Sequence, residues 1–296
     1  YTLIPPEERP AQHLVIGRLL LDHTPEDKLT ENIFDITGHL NRGAVLITLQ
    51  PERNRLAELN LIAGRCAKSA TAFALAVHHF AAGKVLLDSF AWETNYSLAS
   101  ALLLEQAESE YLVGNYKHSD ELLSGALELE VSISDRAWIY RLRQRLYQLS
   151  GRFHEAEAIS IEALRLFGMY FPKSEEDIKL AIEEEIRQVS VNLRGRRITE
   201  LADVPLSDDE DSRAMIGLLE EAMPLIYTVR PLLWPLITAR GVNLSLERGH
   251  ADESPFVYSC YSMVLAGFVH DIPSAIQFSE MAITLNERLP GKDAWR

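Results

Sequence analysis

Apolar side chains recur at helical spacing through most of the chain, and Gly and Pro come singly between these stretches. The clearest case is DRAWIYRLRQRLYQLS at 135–150, where four apolar residues line one predicted helix face: Ile139, Leu142, Leu146 and Leu149. Asp135 or Ser134 can cap the start of this helix, and Gly151 ends it. A second helix is predicted over 154–167, so the two form an antiparallel pair.

The same helix pair recurs along the chain. The pair over 97–130 matches it at a constant offset of 37 residues, with four aligned positions: Gly114/Gly151, Tyr116/Phe153, Ser119/Ala156 and Ala126/Ala163. A third copy over 254–289 has Ile272 at the aromatic position, and Ala275 and Ala282 are again seven residues apart. Small residues let the two helices of a pair approach, and the turn aromatic is predicted to pack between neighbouring units. A repeat of two helices predicts a solenoid.

Other segments fit this plan more loosely, and further helices are predicted over 11–24, 29–43, 53–70, 71–87, 174–193 and 212–229. Gly83 is expected to stop one of them, while Pro231 and Pro235 fix a helix start or a kink. The pattern resembles the tetratricopeptide repeat, although its hallmark Trp and helix-ending Pro are mostly missing.

The predicted fold is therefore all-α, a right-handed α-α superhelix built as a tetratricopeptide-like solenoid of antiparallel helix pairs. Three consecutive segments make one continuous solenoid: helical repeats over 1–170, an irregular helix and polar loop over 171–212, and further repeats over 213–296.

Five blocks carry a more specific resemblance: YTLIPPEER at 1–9, HLVIGRLLL at 13–21, IFDITGHLN at 33–41, LAELNLIAGRCAKSATAFALA at 56–76 and WETNYSLASALLLEQAESEYLVGNY at 92–116. They resemble the helical, tetratricopeptide-like region of large bacterial and fungal signalling proteins. In that group the region lies between an AAA/STAND-class ATPase and a sensor histidine kinase, and some members begin with a serine/threonine kinase domain. The resemblance implies that Tyr1 follows the ATPase and that sensor and kinase modules follow residue 296.

The charge and hydropathy of the chain indicate which classes of binding partner to expect. The 296 residues include 29 basic and 43 acidic side chains, which gives a net charge of −14. Nucleic-acid-binding proteins carry a basic surface, so nucleic acid is disfavoured as a partner. Because neither a signal peptide nor a membrane-length apolar run is present, we expect a cytoplasmic protein without membrane contact. Cys66 and Cys260 are predicted to be buried thiols.

Nucleotide and kinase motifs are missing from the sequence. A phosphate-binding loop ending at Lys84 would need Gly where His78 stands, and one ending at Lys292 would need Gly where Asn286 stands. The HRD and DFG elements of protein kinases are also missing. The sequence therefore predicts no catalytic residue and no cofactor.

Histidines and carboxylates offer weak candidates for a metal or catalytic site. His78 and His79 point about 100° apart on a helix and do not converge on one ion. His154-Glu155 has no second His at metal-binding spacing. The many acidic residues are interpreted as solvated faces: Glu105, Glu108, Glu110, Glu128, Glu130, Glu183, Glu184 and Glu185. SDDED at 207–211 is predicted to be a polar loop that caps the following helix. No metal site is predicted.

Two basic clusters remain as candidates for a binding site: Arg136, Arg141, Arg143 and Arg145 on one helix, and Arg194, Arg196 and Arg197 in a loop. Arg141 and Arg145 share a face, which can receive an acidic peptide, a phosphate or the neighbouring ATPase. The favoured interpretation is nevertheless a solvated or salt-bridged face. Aromatic residues are interpreted as core, with a concave peptide groove as the alternative: Trp92, Tyr96, Tyr111, Tyr116, Phe153 and Trp234.

The leading hypothesis is a non-catalytic regulatory and protein-interaction module of an ATPase-coupled signalling kinase. Its expected partners are the adjacent ATPase and kinase domains, with a peptide, a protein or a small effector as further candidates. One alternative is a stand-alone scaffold that binds a peptide of a separate protein. Another is an α-helical enzyme of unrecognised type.

Overall fold

The computed structural model describes residues 5–129 and 131–289, and the regular structure of this part of the chain is helical. Its α-helices are α1 (Arg9–His23), α2 (Leu29–Gly43), α3 (Gln50–Ser69), α4 (Phe73–Leu86), α5 (Ala91–Thr94), α6 (Tyr96–Leu112), α7 (Tyr116–Leu127), α8 (Ile133–Leu149), α9 (Phe153–Leu166), α10 (Glu175–Leu193), α11 (Glu210–Val229), α12 (Trp234–Arg248), α13 (Ser254–Val264) and α14 (Ile272–Arg288). An isolated bridge between Leu206 and His250 is the one β-type contact among these residues. The predicted all-α fold is confirmed, and its neighbouring helix pairs are consistent with a helical solenoid.

The described chain forms two compact units that divide between Val131 and Ser132. The first unit contains α1–α7, and the second contains α8–α14. This division lies inside the predicted segment 1–170, so α8 and α9 belong with the later helices. The single continuous solenoid stays a prediction. Residues 1–4, 130 and 290–296 lie outside the described residues. They include the first four residues of the YTLIPPEER block, as well as Glu130 and Lys292.

In the first unit, the long helices pack mainly on their neighbours in the chain: α1 on α2, α2 on α3, α3 on α4, α4 on α6, and α6 on α7. Gly64 of α3 permits a close approach of α4, because a Cβ at this position would lie 2.3 Å from the ring of Phe80. Phe80 is fully buried in the core of this unit.

Gly83 does not stop α4, contrary to the sequence-based prediction. It lies inside the helix, which continues to Leu86. A Cβ at Gly83 would lie 2.7 Å from a methyl group of Leu102 on α6. This glycine therefore allows helix contact instead of terminating a helix.

The second unit departs from neighbour order at α10. Helices α8 and α9 pack on each other and both pack on α11, whereas α10 packs on α12. Asn192 of α10 donates from Nδ2 to Asn243 Oδ1 at 3.0 Å, and Arg240 Nε donates to Glu185 Oε1 at 2.8 Å. Because α10 packs on α12, the next helix in the chain that packs on α8 and α9 is α11.

The turns after α6, α8 and α9 share one backbone pattern, with a glycine at positive φ in each: Gly114 (85°), Gly151 (71°) and Gly168 (78°). After α8, Gly151 N donates to Gln148 O at 3.0 Å, and Arg152 N donates to Tyr147 O at 2.8 Å. These bonds satisfy carbonyls that a helix end leaves free. The small residues predicted to lie between paired helices are all buried: Ser119, Ala126, Ala156, Ala163, Ala275 and Ala282.

Some predicted side-chain positions in these pairs are wrong. Tyr116 and Phe153 are 38% and 48% exposed, and Ile272 is 51% exposed. Each is the first residue of its helix, where the side chain points back toward the turn and solvent instead of into the pair contact. Leu149, the last residue of α8, is 65% exposed, whereas Ile139, Leu142 and Leu146 of the same predicted face are buried.

Helix starts follow the expected chemistry with one correction. Neither Ser134 nor Asp135 caps α8, because the helix begins earlier and the Ser132 hydroxyl accepts from Asp135 N at 3.1 Å. In α11 the Asp209 carboxylate accepts from the amide of the second helical residue, so the SDDED segment does cap this helix. Pro235 lies in the first turn of α12, as predicted.

Candidate functional site

An open groove of about 430 Å³ lies in the second unit, between α11, the start of α13 and α14. Its lining combines acidic and apolar residues: Glu220, Asp252, Glu253, Pro255, Phe256, Ser259, Ala282, Ile283, Asn286 and Glu287. Four of these side chains are carboxylic acids, and none is Lys or Arg. We call this feature the acidic groove.

Two residues of α11 determine how its acidic turn meets α8. Pro224 has no N–H, so the carbonyl of Glu220, four residues earlier, lacks its usual helical donor. The next carbonyl, that of Glu221, accepts a hydrogen bond from the Gln144 side chain of α8. Gly217 leaves space for α8, because a Cβ there would lie 2.5 Å from Arg141 Nη1.

Two arginines of α8 meet three glutamates beside the acidic groove. Arg141 Nη1 donates to Glu253 Oε1 at 2.7 Å, and its Nη2 lies 3.6 Å from Glu220 Oε2. Arg145 Nε donates to Glu221 Oε2 at 2.7 Å, and Arg141 Nε lies 3.8 Å from the same oxygen. When all five groups are ionised, the negative charges exceed the positive charges by one.

Glu220 is the carboxylate of this group that lies farthest from an arginine, since its nearest guanidinium nitrogen is at 3.6 Å. Its side chain is 9% exposed, and its Oε2 atom is buried without a hydrogen-bond partner among the described residues. Burial, followed by the charge of Glu221, raises the pKa of Glu220 to about 7, while Arg141 opposes the rise. The carboxyl group therefore changes its charge near neutral pH.

This arrangement can bind a positive charge reversibly. A carboxylate with a free, desolvated acceptor gains from an added cation, because the low local dielectric strengthens the attraction. Shifted pKa values occur at functional sites and also in structural ion-pair networks, so the groove and the free acceptor matter as much as the shift. Among the described residues no group of three or more His, Cys, Asp or Glu side chains is arranged to hold a metal ion.

No family model matches the chain. Over 292 residues the chain is 26% identical to the hybrid signal transduction histidine kinase G of Dictyostelium discoideum. The aligned region covers 87% of this chain and 8% of that protein, so the chain spans less than a tenth of its relative's length. This similarity supports the histidine-kinase part of the resemblance seen in the sequence, and it does not bear on an ATPase.

Members of both predicted basic clusters bond to acceptors of the chain itself, as expected for a salt-bridged face. Arg141 and Arg145 face the glutamates described above. In the second cluster, Arg196 donates to the carbonyl oxygens of Asn192 at 2.9 Å and Leu193 at 3.1 Å, at the end of α10. Arg197 donates from Nε to Glu200 Oε1 at 2.8 Å.

The two neighbouring histidines of α4 occupy different environments. His78 is exposed, whereas His79 is buried with its Nδ1 atom 3.0 Å from Asn60 Oδ1. Asn60 also exchanges amide hydrogen bonds with Asn41 at 2.8 Å. Burial, with a smaller effect of His78, lowers the pKa of His79 to about 4. His79 therefore belongs to a buried polar network between α2, α3 and α4.

His154 and Glu155 are both exposed, and Glu155 accepts a hydrogen bond from Arg152 Nε at 3.1 Å.

Among the described residues, no helix is both long enough and apolar enough to cross a bilayer.

The solvated-face interpretation is wrong for part of the acidic set on α6. Glu105 accepts hydrogen bonds from Arg65 Nε and Lys68 Nζ, both at 2.8 Å, and its side chain is 19% exposed. Lys68 also donates to Glu108. Glu110 is buried and accepts from the side chain of the nearby turn residue, Asn115, at 2.9 Å. These carboxylates join α6 to α3 and to its own turn because α3 projects basic side chains alongside α6.

The aromatic and cysteine predictions are confirmed in part. Trp234 is 6% exposed, and Cys260 is buried. Cys66 is only half-buried. Trp92 is also half-buried, and it lines a separate cavity of about 290 Å³ in the first unit.

Sequence reasoning did not single out Glu220, Glu221 or Glu253. A local signal for the first two existed, because an acidic pair stands just before a proline inside a predicted helix, at Pro224. That signal marks a helix turn with incomplete backbone bonding, but it does not indicate which other helix faces the pair.

Proposed function

We propose that this chain is a non-catalytic regulatory segment of a signal-transducing histidine kinase, placed between an ATPase and the kinase output. The observation that carries the proposal is the similarity to a hybrid signal transduction histidine kinase along most of the chain. The helical architecture and the acidic groove support a role in binding. The segment biases an equilibrium between active and inactive kinase states when a ligand or partner binds one state better.

The described side chains that resemble catalytic groups support a non-catalytic role, since they either form structural bonds or lie exposed on a helix. His79 bonds within a polar network, and Arg141 bonds to glutamates. His154 and Glu155 lie on the surface of α9. His79 and Arg141 therefore stabilise contacts between helices.

The test uses the full-length kinase that carries this segment, with autophosphorylation as the measurement. Ile283→Arg fills the acidic groove, whereas Ile276→Arg places the same charge on the same helix outside the groove. Both residues are similarly exposed, at 59% and 53%, so both variants are expected to fold. We expect the groove variant to change autophosphorylation by about fivefold or more, and the control to leave it unchanged. Unchanged autophosphorylation after deletion of the whole segment would contradict the proposal.

A second candidate function is a scaffold for a peptide of a separate protein. It is favoured by two apolar hollows of about 470 Å³ and about 410 Å³ that share Leu232 and Phe268. Phe268 is 53% exposed, and so is the nearby apolar side chain of Met263, at 54%. Tight peptide binding by the isolated 296-residue chain, lost in Phe268→Asp, would favour this function over kinase regulation.

A further inference from the structure

We infer that the acidic groove binds an organic cation, an ammonium or guanidinium group on an aliphatic stem, and that Glu220 is the anion that receives it. The inference deepens the proposed function by naming the class of ligand that the second unit recognises. It rests on charge balance, on a free buried acceptor and on the apolar part of the lining.

The charge balance around the groove leaves room for one more cation. Arg141 and Arg145 are shared by Glu220, Glu221 and Glu253 at distances of 2.5 to 3.8 Å. Three carboxylates therefore have two guanidinium groups between them. Two further acids, Asp252 and Glu287, line the groove, and its lining contains no basic side chain. A positively charged ligand relieves the mutual repulsion of these carboxylates.

Glu220 supplies the acceptor that an acidic surface alone would not provide. It lines the groove, its side chain is more than nine-tenths buried, and its Oε2 atom forms no hydrogen bond to the described residues. Arg141 lies 3.6 Å from that oxygen, which is too far for a hydrogen bond. Because Oε2 is itself buried, a ligand must displace neighbouring lining atoms to reach it, and an N–H donor that does so forms a charge-assisted bond that the folded chain does not already make.

The remaining lining suits a carbon stem. Pro255, Phe256 and Ile283 contribute apolar surface to the groove. Phe256 is 41% exposed and Ile283 is 59% exposed, so both are open to a ligand. An aromatic face near a cation adds attraction through its quadrupole. An organic cation uses both the acids and this apolar surface, whereas a metal ion would use the acids alone.

Binding is expected to depend on pH because Glu220 attracts a cation only when its carboxyl group is ionised. The groups that face it are Glu221 on the same helix, Arg141 and Arg145 on α8, and Glu253 and the buried thiol of Cys260 at α13. Glu287 faces the groove from α14. With the pKa of Glu220 near 7, affinity rises about tenfold from about pH 6 to about pH 8 and changes little above that range.

The experiment is a calorimetric titration of the 296-residue chain with n-butylguanidinium chloride, with neutral n-butylurea as the matched ligand. We expect a dissociation constant of about 1 mM or lower for the guanidinium and at least tenfold weaker binding of the urea. Glu220→Gln keeps the shape of the protonated side chain and is expected to weaken binding about tenfold or more at about pH 8 and to remove the pH dependence. Glu210→Gln changes net charge equally on the same helix, outside the groove, and is expected to bind like the wild type.

A second pair of variants protects the test against misfolding. Ile283→Arg places a guanidinium in the groove at an exposed position and is expected to abolish binding, while Ile276→Arg is expected to leave it intact. Equal affinities for Glu220→Gln and Glu210→Gln, or no binding of n-butylguanidinium by the wild type, would overturn the inference.

A parallel titration with N-acetyl-leucyl-arginine amide distinguishes the source of the cation. Binding at least tenfold tighter than that of n-butylguanidinium assigns it to a peptide side chain, and weaker binding assigns it to a free small molecule. These measurements use no kinase activity. A loss of cation binding is therefore distinguishable from a failure of the proposed kinase regulation.

Discussion

Glu220 is expected to make the second unit less stable as the pH rises through neutrality. In the folded chain its pKa is about 7, against 4.5 for the same group without its surroundings, and burial is the main cause. Because the folded state binds this proton more tightly than the unfolded state, the stabilisation is fully present below the unfolded pKa. It is lost as the pH rises through the folded pKa.

The magnitude follows from the gap between the two pKa values of Glu220. At about 1.36 kcal/mol per pKa unit, the gap corresponds to about 3 kcal/mol once the group is ionised in both states. Over the range from about pH 5 to about pH 8, the same linkage gives a loss of about 2.5 kcal/mol in the free energy of unfolding. Glu220→Gln has no titrating group and is expected to lack this loss.

Urea denaturation followed by circular dichroism measures the effect at both pH values. Urea is preferred because guanidinium is itself a cation of the kind that we propose for the groove. The stability difference between Glu220→Gln and the wild type is expected to grow by about 2–3 kcal/mol from low to high pH. Glu210→Gln is the control and is expected to shift by no more than about 0.5 kcal/mol. Hydrogen exchange in α11 assigns the change to the second unit. The reasoning would be refuted if the stability difference between Glu220→Gln and the wild type changed with pH no more than that of Glu210→Gln.

Three further predictions concern other packing and turn positions. Gly64→Ala is expected to lower the free energy of unfolding by about 1–3 kcal/mol because its Cβ would lie 2.3 Å from the Phe80 ring. Gly38→Ala, with nothing within 4 Å, is expected to raise it by up to about 1 kcal/mol, and thermal melting that shows the same sign for both would contradict this. The pKa of His79, about 4, lies below its unfolded value of 6.5, so between about pH 7 and about pH 5 the wild type is expected to lose about 1–2 kcal/mol relative to His79→Gln in urea denaturation. Gly151→Ala is expected to cost about 1–2 kcal/mol because φ is 71° there, and an unchanged melting temperature would count against a strained turn.

Helices and turns were predictable because they depend on residues close together in the chain. The glycines after α8 and α9 and the buried alanines of the paired helices follow from spacing alone. Gly83 was misread because a glycine that ends a helix and a glycine that admits a neighbouring helix look alike in one sequence. The position of α10 depends on Asn192 and Asn243, whose contact joins residues 51 positions apart, so no local pattern indicates it.

Arg141 and Arg145 show most directly how tertiary packing changes a functional hypothesis. Their spacing correctly places them on one helix face, which the sequence favours as a solvated or salt-bridged face over a site for an anion from outside the segment. The salt-bridged face is confirmed: the partners are carboxylates of the same chain, at Glu221, 76 residues from Arg145, and at Glu253, 112 residues from Arg141. Glu220 is a third carboxylate beside these two arginines, so the negative charges outnumber the positive ones. The charge that would balance the group is therefore positive, not negative. After folding, the basic face of α8 therefore lies beside a groove for which we propose a cation, although the face by itself could have received an anion.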